Sequence, residues 1–191
     1  MLAIAIAWVV ASADIQVDSR SGTGPMSDAS FGSVVSIIES AVPGMGSSMW
    51  SARDSGAVGF GVLKPGTTNQ AGQTLSGLAD ADTCLVDVTL EVEDLASTLV
   101  HEWTHQLSFS GAFGPETETL SAACQEVLAY LQELLYVQAR ATWLFDEFGF
   151  AVLPCYHFKD ARDGYDEFAA DCHDPLPSWV PAAPSTPAHC K

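Results

Sequence analysis

The sequence predicts an α+β fold: a small mixed sheet, one helix bearing a dense polar motif, and a long second helix packed antiparallel to it. Three observations predict it. Apolar runs at 57–63 and 83–90, with Val58, Phe60, Val62, Leu85, Val86 and Val88, read as strands. Leu95, Leu99, Trp103 and Leu107 recur at a spacing near 3.6, which is helix periodicity. A compact link, Ser110-Gly111-Ala112-Phe113-Gly114-Pro115, then precedes a second stripe of Leu120, Cys124, Val127, Leu131, Leu134 and Leu135. Helices joined by so short a link pack antiparallel.

At 191 residues, 48% hydrophobic and 16% charged, the chain is sized for one globular domain with a proper core. Its opening, residues 1–13, is an apolar run ending Ala11-Ser12-Ala13, and reads either as a signal remnant or as a first strand continuing through Ile15 and Val17. Residues 18–27 are a Ser/Gly/Pro loop. Phe31, Val34, Val35 and Ile38 fall at i, i+3, i+4 and i+7, which predicts a helix over 28–39 ended by Pro43, Gly44 and Gly46. The strand at 57–63 is followed by a polar loop over 64–77, and the strand at 83–90 leads into the motif helix, with Asp94 as its N-cap. An open sheet edge at that second strand would let an extended peptide pair with it. The long helix is expected to run on toward Trp143, Leu144 and Phe148. Residues 150–154 read as a short strand, 160–171 as acidic helical turns, and 175–191 as a Pro-rich tail that Cys172 and Cys190 would pin.

Charge narrows the function classes. There are 24 acidic residues against 7 basic ones, a net charge of −17, so nucleic acid and anionic membranes are excluded as expected partners. Five scattered cysteines, with no Cys-x-x-Cys pair, suit one or two disulfides plus a leftover thiol in an exported protein. Cys155, Cys172 and Cys190 lie beside or near His157, His173 and His189, so a second, structural zinc site is the alternative use of the same residues.

The motif is Val100-His101-Glu102-Trp103-Thr104-His105-Gln106. Histidines four apart lie on one helical face, so both imidazoles can converge on one metal ion. Neutral imidazole binds zinc without cancelling its charge, and the ion then lowers the pKa of a bound water. Glu102 fits the role of base toward that water. A catalytic zinc needs a third protein ligand, and the facing helix offers Glu116, Glu118, Glu126 and Glu133. Glu116 and Glu118 have an ordinary reading as acids of a first helical turn. Glu126 sits mid-helix beside the apolar stripe among small neighbours, where a bare carboxylate is costly, and it is the leading candidate with Glu118 next. Oxyanion stabilisation commonly takes a Tyr, His or Arg. Tyr130, Tyr156, His157 and Tyr165 are available, with His157 and Tyr165 preferred because they follow the second helix.

His101-Glu102-x-x-His105 followed 21 residues later by Glu126 resembles the gluzincin branch of the zincin metallopeptidases, and Glu126-Val127-Leu128-Ala129-Tyr130-Leu131-Gln132 is similar to a Glu-x-x-Ala-Tyr-x-Gln run in small members of that group. The resemblance covers 83–138. It implies a zincin-like catalytic domain over 14–174, one catalytic Zn2+ held by His101, His105 and Glu126, Glu102 as general base, and a peptide or protein substrate. The metzincin continuation is absent, since Ser108 and Gly111 stand where its Gly and His would be. Two rivals accompany this reading: a secreted binding module in which zinc is a structural staple, and a zinc hydrolase of a non-peptide amide.

Overall fold

The computed structural model describes residues 22–68, 72 and 74–190. The expected opening strand or signal remnant, with Ile15 and Val17, lies outside the described residues. The rest is mixed α and β. Four short strands, β1 (Gly22–Pro25), β2 (Gly59–Leu63), β3 (Gly77–Ala79) and β4 (Thr83–Val86), form one sheet in the order β1-β2-β4-β3. β2 and β4 are parallel, while β1 and β3 run antiparallel to their neighbours.

Helix α1 (Asp28–Ala41) follows β1, capped by the Ser27 hydroxyl, which accepts from Ser30 N. Its i, i+3, i+4, i+7 residues Phe31, Val34, Val35 and Ile38 are all buried. A further helix, α2 (Met45–Asp54), stands where only a helix end was expected. Its apolar content is too low for periodicity to reveal it. Tertiary contacts start it instead: the Glu39 carboxylate accepts from Gly44 N and Ser47 N, and Gly46 packs so close to α1 that a Cβ would come within 2.6 Å of Val35 O.

The strand expected at 83–90 stops at Val86, where Asp87 Oδ1 accepts from Thr89 N and Thr89 Oγ1 and turns the chain. It is also interior, between β2 and β3, so among the described residues the edges are β1 and β3, and β3 emerges from the end of the expected 64–77 loop. Helix α3 (Val92–Phe109) begins two residues before Asp94, which therefore lies in its first turn and caps nothing. A single turn, α4 (Pro115–Glu118), precedes α5 (Ala122–Phe148). Gly149, at φ +76°, ends α5, with its N–H donating to Phe145 O.

Residues 150–154 are not a strand. They enter helix α6 (Val152–Ala169), with Pro154 in the first turn, where a missing N–H leaves no helical bond unmade. The tail is pinned as expected, but to the helices: Cys124 to Cys172, and Cys155 to Cys190. Those bonds use the cysteines that a second zinc would need. Cys84 is the leftover thiol, buried under α3.

One apolar core joins the sheet to the helices: Phe31, Val34 and Ile38, then Phe60 and Val86, Leu95, Leu99 and Trp103, Leu134 and Val137, and Phe158. Among the described residues no helix is long and apolar enough to cross a membrane.

Candidate metal centre

The site forms where α3 faces α5. Ion pairs and hydrogen bonds along that seam join Glu93 to Arg140, Ser97 to Glu133, and His101 and His105 to Glu126. Partners descend on one helix as they ascend on the other, so the helices are antiparallel. Each site residue lies where the register puts it: His101 and His105 one turn apart on α3, Glu126 and Glu133 two turns apart on α5.

The three expected ligands come together. His101 Nε2 and His105 Nε2 are 3.2 Å apart, His105 Nε2 is 3.2 Å from Glu126 Oε1, and His101 Nε2 is 3.3 Å from Glu126 Oε2. Ligands at zinc-bonding distance in a tetrahedron are about 3.3 Å from one another. Two imidazole nitrogens and a carboxylate brought this close together can hold one divalent ion.

All three side chains are buried: His101 and Glu126 are 1% exposed and His105 is 5% exposed. Burial acts against charge on His101, but Glu126 and Glu133 outweigh it and raise the imidazole's affinity for a proton. Burial likewise favours a neutral Glu126, and the two imidazoles outweigh it and keep the carboxyl low. Among the described residues, Glu126 Oε2 accepts no well-directed hydrogen bond despite its approach to His101, and His105 Nδ1 is buried without a hydrogen-bond partner.

Glu102 lies beside the ligands and under the sheet edge. A Cβ on Gly77 would fall 2.4 Å from Glu102 Oε1, so the bare backbone of β3 rests on this carboxylate. Among the described residues Oε1 is buried without a hydrogen-bond partner. Burial, chiefly, pushes the carboxyl up to about 8; His101 opposes the shift, and Glu126 and Glu133 add to it.

The competing carboxylates separate. Glu116 and Glu118 are exposed on α4, away from the seam. Glu133 does reach it, but at the other ring nitrogen, with Oε2 3.0 Å from His101 Nδ1 and Oε1 accepting from Ser97 Oγ at 2.6 Å. Ser97 was not singled out from the sequence, although it lies one turn before His101 on the same face.

The oxyanion candidates are dispersed. His157 pairs with Asp94 in the first turn of α3, two turns ahead of His101. Tyr165 lies partly buried with the Arg162 guanidinium 5.6 Å from its ring centre, and Tyr156 is 65% exposed. Tyr130 is closest to the ligands, its ring edge-on to His101 at 4.6 Å between centroids. It fits because Gly164 of α6 has no Cβ, which would come within 2.4 Å of the Tyr130 ring.

No protein family, curated protein or solved structure matches the chain.

Proposed function

We propose that the protein is an exported zinc metallopeptidase of the gluzincin type with a zincin-like fold, in which His101, His105 and Glu126 hold the ion. The observation that carries this reading is the mutual spacing of 3.2, 3.2 and 3.3 Å among the two Nε2 atoms and the Glu126 carboxylate. Zinc, when bound there, would supply Lewis acidity, lowering the pKa of a water and polarising a carbonyl. Glu102 takes the proton of the attacking water and returns it to the leaving amine nitrogen. Its buried, unpartnered Oε1 and its raised pKa suit a group that must both accept and release a proton. β3 is an edge strand among the described residues, with Gly77 directly over Glu102, so an extended peptide paired along β3 would bring its carbonyl to this carboxylate. Two disulfides fit an oxidising, extracellular setting.

The depth of the ligands favours one rival, a binding module in which zinc is a structural staple. A staple, however, has no use for an unpartnered carboxylate beside it. Metal analysis and cleavage of casein or a peptide library, for the wild type and Glu102→Ala, separate the two. The expected result is bound zinc in both proteins and cleavage reduced about 10²- to 10⁴-fold in the variant. Bound zinc with no wild-type cleavage would establish the staple, and equal cleavage in both would remove Glu102 from the mechanism.

A further inference from the structure

We propose that Glu133, steadied by Ser97, is the positioning residue that fixes the tautomer of His101 and thereby sets how tightly the cluster holds zinc. This rests on the reading of His101, His105 and Glu126 as the ligands.

The chain of contacts has one direction. Ser97 Oγ donates to Glu133 Oε1 at 2.6 Å, which orients the carboxylate so that Oε2 stands 3.0 Å from His101 Nδ1. A carboxylate accepts, so the ring proton belongs on Nδ1, and the lone pair of Nε2 then points toward Glu126 and His105. Ser97 is 4% exposed and the Glu133 side chain 15%, so water competes little for these bonds. Tyr130, edge-on to the same imidazole, limits how far the ring can tilt.

His105 has no such arrangement among the described residues, where its Nδ1 is buried without a hydrogen-bond partner. Its ring is stacked on Phe109 instead, at 5.8 Å between centroids. Stacking fixes a ring plane but does not choose which nitrogen is protonated. The two imidazoles, alike in the sequence motif, are therefore unequal: His101 is aimed before the ion arrives, and His105 must be aimed by it. Carboxylates that accept from the far nitrogen of a metal-bound histidine raise its basicity and pre-set its orientation, and their loss weakens metal binding.

The test uses Zn2+ itself, titrated in competition with a chromophoric chelator, on the full chain. Glu133→Ala is expected to raise the zinc dissociation constant about 10- to 100-fold, with Glu133→Gln, which keeps an acceptor oxygen, recovering part of the loss. Ser97→Ala should weaken binding in the same direction by less, and Glu118→Gln, an exposed carboxylate on α4, should leave it unchanged. A second readout is the 1H–15N spectrum of the zinc-loaded wild type, where His101 Nδ1–H should appear as a slowly exchanging resonance that Glu133→Ala abolishes. That signature would not follow from a merely structural role.

Zinc affinity equal to wild type in Glu133→Ala and Ser97→Ala overturns the proposal while leaving the ligand assignment standing. If Glu133→Ala does not fold, Ser97→Ala and the wild-type spectrum decide, and a zinc-loaded His101 with no protected Nδ1–H overturns it. A wild type that binds no zinc overturns the ligand assignment, and this proposal with it.

Discussion

Helix α3 has two kinds of neighbour. On one side Leu95, Leu99 and Trp103 join Phe31, Ile38, Phe60 and Val86 in an apolar core. On the other, Ser97, His101 and His105 meet Glu126 and Glu133 in a buried polar seam. Burying carboxylates and imidazoles together gains little stability over apolar packing and can cost some. The apolar side therefore accounts for why the chain folds.

The sharpest way to break that contrast is to change one residue of the apolar core and the buried carboxylate beside the seam, and measure unfolding of the metal-free protein in denaturant. Phe31→Ala, at a fully buried ring touching Trp50 and Phe60, should cost about 3–5 kcal/mol. Glu102→Met removes a buried, unpartnered carboxylate oxygen while keeping an unbranched side chain, and should stabilise by about 1–3 kcal/mol while abolishing cleavage. Loss of stability in Glu102→Met comparable to that in Phe31→Ala would mean the seam is structural after all.

A smaller effect is expected where sheet and seam touch. Gly77→Ala drives a methyl into the Glu102 carboxylate and should cost about 1–3 kcal/mol, with cleavage falling because the carboxylate is displaced. Gly59→Ala, whose nearest neighbour would be Asp82 O at 3.7 Å, is the matched control and should leave cleavage unchanged. Equal cleavage in the two variants would detach Glu102 from the chemistry.

The smallest effect belongs to the His157–Asp94 pair, which ties α6 to α3 outside both regions. Burial opposes charge on His157, but the hydrogen bond and charge of Asp94 win and raise its pKa above 6.5. The same hydrogen bond lowers Asp94 below 3.8. The pair's contribution is thus complete between pH 3.8 and 6.5. It is lost as pH rises through the raised His157 value, and again as pH falls through the lowered Asp94 value. With Asp94 44% exposed, the contribution is at most about 1 kcal/mol. Wild type and Asp94→Asn should differ most in melting temperature inside that window and converge above it, and a constant difference across pH would exclude the pair as the cause.

Legibility tracked how local each determinant was. α1, α3 and the body of α5 were readable because their buried residues recur at helical spacing along a continuous stretch. α2 and β3 were not, because contacts with Glu39, Val35 and β4 hold them, and these lie elsewhere in the chain. Residues 150–154 misled because a short apolar run reads equally as a strand or as a first helical turn. Within the site, the spacing of His101 and His105 placed two nitrogens on one face before any fold was known. Glu133 was read only as a rival ligand, since sequence cannot say which ring nitrogen a distant carboxylate will meet.

The sequence by itself determined the residue types of the seam, the number of cysteines available for pairing and the periodicity of the helices, because composition and spacing within one helix need no partner. Only the tertiary structure decided that Glu126 rather than Glu118 meets both imidazoles, that β3 is an edge strand among the described residues and rests on Glu102, and that the tail is bonded to α5 and α6. Those outcomes depend on the register between α3 and α5 and on the order of strands. Many side chains set that register and order together, and no single stretch of the chain encodes either.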